Sequence, residues 1–144
     1  MSTAAERQAR LAGAVAELAH ALGRDVPAAS AAGLLTLVAA SPGVPRDVLA
    51  LAVRSGVEEL ARRRPGKSVE LRVPPFAAAQ LGSGDAGPGA GPRHTRGTPP
   101  AVVELAPEVF VTLAVGGVTW ADAVAAHRVS VSGTHTDLGA LFPL

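Results

Sequence analysis

The side chains best suited to chemistry in this sequence lie in one short stretch, Pro92-Arg93-His94-Thr95-Arg96-Gly97-Thr98. Arg93 and Arg96 each carry a planar fork of N–H donors that matches the paired oxygens of a carboxylate or phosphate. The imidazole of His94 and the hydroxyls of Thr95 and Thr98 could complete such a grip. Arg93, His94, Arg96 and Thr98 are therefore the candidate anion-binding residues. The competing reading is a solvated connector between the glycine-rich run GSGDAGPGAGP and Pro99-Pro100.

Other chemistries find little to work with. His94, His127 and His135 form neither an i, i+4 pair on a helix nor the H-E-x-x-H arrangement that zinc chemistry uses, so no metal is expected. The chain has no cysteine, which removes disulfides, thiolate ligands and a Cys nucleophile together. No Gly-x-Ser-x-Gly elbow presents a serine, and Ser130 and Ser132 fall in an alternating strand pattern. The Gly82–Pro92 run lacks the Gly-Lys-Ser/Thr ending of a phosphate loop and reads as a surface loop. No catalytic residue and no cofactor are expected.

These residues sit in a chain of 144 residues, enough for one domain with its own core, with or without a helical extension. The formal charge of +1 gives no field to gather nucleic acid. No run approaches the ~18 apolar residues of a membrane span. No signal peptide is expected in the N-terminal segment, because Glu17, His20 and Arg24 interrupt its apolar residues. A cytoplasmic chain, monomeric or weakly dimeric, is expected. Aromatics make up 3%, so Phe76, Phe110, Trp120 and Phe142 are the few large anchors of a core otherwise built from small side chains.

Periodicity supplies the elements. Leu11, Val15, Leu18 and Leu22 share one helical face, predicting a helix from about Ala4 to Leu22. The run Ala31–Ala40 could be a helix capped by Ser30, and a buried strand fits its spacing too. Ser41-Pro42-Gly43-Val44-Pro45 breaks the chain, and a third helix follows with a stripe of Leu49, Val53, Val57 and Leu60. Arg54, Glu58 and Arg62, and Glu59 and Arg63, stand at four-residue pairing distance on it. The run Arg62-Arg63-Arg64 then sits at the helix end its dipole favours.

After Gly66 the period becomes two. Val69, Leu71 and Val73 predict a strand, Phe76–Leu81 a second and Ala101–Leu105 a third. Pro107 opens a short helix through Leu113, and Thr119 caps another carrying Trp120. Arg128–Ser132 predicts a last strand, and Asp137–Leu141 a final helical turn. The order predicts an α+β fold, a mostly antiparallel sheet with helices on one face.

From Val102 onward the pattern resembles the second half of the sterol carrier protein type-two family, in a bacterial offshoot. The residues that carry it are Glu108, Phe110, Leu113, Gly116, Gly117, Ala123, Val129, Val131, Gly133, Leu138 and Leu141. The third helix and the segment Val69–Leu81 match the family's opening elements, so the resemblance spans Pro45–Leu144. It implies a domain at residues 45–144 preceded by a helical extension at 1–44. It also implies an apolar tunnel between helices and sheet that takes a lipid or fatty acyl chain. On that basis Phe76, Phe110, Leu113, Trp120, Leu138 and Leu141 are the expected ligand-binding residues. Three functions follow: a non-catalytic lipid or acyl-chain carrier; a structural or regulatory interaction module whose tunnel has closed; or an accessory component of an enzyme acting on a small anionic metabolite.

Overall fold

Local chemistry decides where each helix starts. The computed structural model describes residues 2–82, 101–134 and 136–144. In α1 (Ala4–Ala21), Thr3 accepts from the Glu6 backbone N–H while the Glu6 carboxylate accepts from the Thr3 backbone N–H, a complete capping box. Leu11, Val15 and Ala19 are buried along its inner stripe. The ambiguous run becomes α2 (Ala31–Ala40), a helix whose Ser30 hydroxyl accepts from Gly33 N at 3.1 Å. Pro45 caps α3 (Arg46–Arg63) from just outside its first turn.

The charge pairs on α3 differ in part from those the spacing predicts. Glu59 takes both Arg62 and Arg63, and their guanidinium bonds, Arg62 foremost, hold its carboxyl below the usual carboxylate range. Arg54 instead donates its Nε to the Phe76 carbonyl at 3.0 Å, tying α3 to the turn between the first two strands.

The sheet runs β2-β1-β3-β4, with β1 Val69–Val73, β2 Ala77–Leu81, β3 Ala101–Leu105 and β4 Val129–Ser132. β1 pairs antiparallel with β2, β3 antiparallel with β4, and β1 with β3 in parallel. The mostly antiparallel α+β sheet is thus present, with a parallel pair at its centre. Alternation places Val69, Leu71, Val73, Leu81, Ala101, Val103 and Leu105 inward, and Arg72 and Glu104 outward to solvent. Helix α3 packs on β2, α2 and α4 (Pro107–Ala114) pack on α3, and their buried side chains join those of the sheet in one core.

The surface loop expected from Gly82 does not include Gly82. Gly82 is itself buried, its N–H bonded to the Arg64 carbonyl at 2.8 Å, because the end of β2 passes directly over the exit from α3. The rest of that glycine-rich run lies outside the described residues.

The closing third of the chain is built around α5 (Trp120–Ala125), β4 and a 3-10 turn, Gly139–Leu141. Thr119 Oγ1 accepts from Asp122 N at 3.1 Å and starts α5. Six residues cannot hold a helix in water without help. Thr119→Ala should therefore cost about 1 kcal/mol. It should also shift Trp120 emission toward that of a solvated indole, checked by thermal melts and steady-state fluorescence.

Candidate functional site

The interior between sheet and helices is apolar throughout the described residues: no polar or charged side chain is buried there. Phe110 is its largest fully buried side chain. Its ring lies over Gly56 of α3, where an added Cβ would come within 2.7 Å of Cε1 and within 3.1 Å of Leu35 Cδ1 from α2. Glycine at 56 is what lets α3, α4 and a leucine of α2 meet at one point.

On its other side Phe110 meets Phe142. The two rings stand edge to face, with centroids 6.0 Å apart. Trp120 stacks on Phe142, also at 6.0 Å and within 8° of parallel. Such offset and T-shaped pairs satisfy the ring quadrupoles and add to the burial energy. The C-terminal segment delivers Phe142 there: Leu144 N donates to the Ala114 carbonyl at 2.9 Å, pinning the tail to the end of α4. Gly139 in the same segment lies against the Trp120 indole, where a Cβ would stand 3.3 Å from its Cδ1.

Four of the six expected ligand-binding residues are therefore gathered by the tail. Phe110 and Trp120 flank Phe142, and Leu138 and Leu141 are buried in the turn that precedes it. Leu113 is fully buried one turn beyond Phe110 on α4. Phe76 lies elsewhere. It is half-buried at the β1–β2 turn with the Arg46 guanidinium 5.0 Å above its ring, and Arg46, Asp47, Ala50 and Arg54 surround it on the α3 side. Phe142, one of the four Phe and Trp side chains that the sequence marks as large anchors, was not among the expected ligand-binding residues, yet it joins Phe110 to Trp120.

Arg93, His94, Arg96 and Thr98 lie outside the described residues, as does His135. Among the described residues no three His, Asp or Glu side chains converge as a metal site. His127 is exposed and takes a left-handed conformation, φ 58°, that closes α5. An open concavity of about 1490 Å³ runs between α1 and α3 over the start of α2. It is floored by Leu11, Ala14, Leu18, Val48 and Leu51 and rimmed by charges, and none of the expected ligand-binding residues lines it.

The described residues thus build a mixed sheet with helices packed against it and an apolar interior. The family model described as "Bacterial SCP ortholog" matches residues 45–144, and the chain belongs to this bacterial family of sterol-carrier-like proteins. No curated protein matches the chain. Among the described residues no helix is long and apolar enough to cross a membrane.

Proposed function

We propose that the protein binds an apolar ligand of lipid or fatty acyl type, without acting on it chemically, in the layer between sheet and helices. The observation that carries this reading is the apolar interior, in which no buried polar side chain occurs among the described residues. Membership of a sterol-carrier-like family supports it. An apolar wall holds a hydrocarbon chain through released water and offers no group to transform it.

In this reading Phe110, Leu113, Leu138 and Leu141 bound the chain, Trp120 closes one end, and Phe76 stands at the other margin. Arg93, His94, Arg96 and Thr98 are proposed to meet a carboxylate or phosphate head group. The test is a titration with acyl chains of increasing length, read by the emission of the single tryptophan, Trp120. Burying each methylene is worth about 0.8 kcal/mol, so affinity should rise about fourfold per carbon until the space is full. A folded protein that binds none of the series overturns the carrier reading.

One observation favours a second reading, an interaction module with a closed interior. Phe110 and Trp120 already spend their faces on Phe142, and Leu35 crowds the same spot over Gly56. Absence of ligand binding in the titration is the outcome this second reading expects.

A further inference from the structure

The helix that crowds Phe110 does not belong to the span matched by the family. α2 covers Ala31–Ala40, whereas the match begins at residue 45. Its buried residues are Ala31, Gly33, Leu34, Leu35, Leu37 and Val38. At 100° per residue they cover an arc of about 200° of the helix, twice the stripe of an ordinary surface helix. This is a helix buried among its neighbours, packed on α1, α3 and α4 at once. Leu35 Cδ1 and the Phe110 ring both reach the space above Gly56.

α2 is also poorly equipped to be a helix by itself. Ten residues fall below the ~12–15 that an isolated helix needs. It carries Gly33 and Thr36, has no acidic residue in its first turn and no basic residue in its last. Breakers bound it on both sides, Gly23 and Pro27 before it and Pro42, Gly43 and Pro45 after it. Its terminal devices are two hydroxyls: Ser30 Oγ accepts from Gly33 N at 3.1 Å, and Ser41 Oγ donates to the Leu37 carbonyl at 3.0 Å. What keeps it helical is its packing on α1, α3 and α4, and the breakers on both sides make it a separate unit of chain.

We infer that α2 is an internal occupant of the apolar layer, and that a hydrocarbon ligand enters by displacing it. The inference rests on the carrier reading and adds the gate to it. Ligand and α2 compete for the walls around Phe110, so a weaker α2 makes a stronger binder, even though the folded protein becomes less stable. Binding through a minor open state is reduced by the fraction of molecules that are open, and destabilising the closed state removes that reduction.

The experiment compares the native chain with Ser30→Ala and Leu35→Ala, all full length, titrated with a saturated fatty acid followed by Trp120 emission. Hydrogen exchange is read peptide by peptide in parallel. Loss of the Ser30 cap should raise fatty acid affinity about fivefold, the equivalent of a typical cap, and Leu35→Ala should raise it further. Saturation with ligand should strip protection from 31–40 while β1 and β3 keep theirs. Equal affinities in all three proteins, with 31–40 still protected when ligand is bound, overturn the gate and leave the carrier reading standing. No binding by any of the three overturns the carrier reading and the gate with it.

Discussion

Phe110→Ala should lower the melting temperature by about 10–20 °C, from a loss of about 3–5 kcal/mol spread over a chain of this size. Two sets of contacts are lost with that one ring. It fills the space that Gly56 leaves on α3 beside Leu35 of α2, and it gives Phe142 its edge-to-face partner. The surroundings cannot collapse into the vacancy easily, because α3, α4 and the pinned tail approach from different directions. Phe142 lies between Phe110 and Trp120, so the truncation should also alter Trp120 emission in the folded state. Phe110→Leu keeps much of the volume and should lose less than half as much. Denaturant melts of the three proteins check the order, and an alanine variant as stable as the leucine variant contradicts the packing described.

Gly66→Ala should cost about 2–5 kcal/mol, the combined scale of backbone strain and overpacking. Gly66 has φ +149°, and an alanine Cβ there would stand 2.6 Å from Gly82 Cα. The obstacle is backbone, so no rotamer change relieves it. Gly82 meets the reciprocal problem, with its Cβ direction 2.4 Å from the Pro65 carbonyl oxygen. The pair is a crossing point at which the exit from α3 touches the end of β2. Because the two glycines share one crossing, Gly66→Ala with Gly82→Ala together should cost less than the sum of the two. Gly13→Ala is the opposite case: on the exposed side of α1 nothing lies within 4 Å. There alanine should stabilise by about 0.5–1 kcal/mol, since helix propensity alone is at stake. Urea unfolding of these variants measures all three signs.

The order of the elements, and the type of each except Ala31–Ala40, were legible in the sequence because they depend on near neighbours. The stripe of Leu11, Val15, Leu18 and Leu22 gave α1, the period of two gave β1, and Thr119 marked the start of α5 through a bond spanning three residues. The absence of cysteine and of catalytic spacing bounded the chemistry in the same way, by composition alone. The family pattern directed attention to Phe110, Leu113, Trp120, Leu138 and Leu141, but it could not say which of them share a neighbour.

Tertiary structure decided what local spacing leaves degenerate. Ala31–Ala40 is apolar enough for a strand or a helix, and packing against α1, α3 and α4 selects the helix. The parallel pairing of β1 with β3 joins residues some thirty positions apart, so no periodicity within either strand encodes it. Phe142 became the centre of the aromatic group because Leu144 is anchored to Ala114, a contact between the tail and α4 that the spacing of neither segment announces. Phe76 parted from the other candidates because the β1–β2 turn carries it toward Arg46 and Arg54. The sequence determined which side chains must leave water; only the fold determined which of them meet, because hydrophobic burial is non-directional and contact geometry is not.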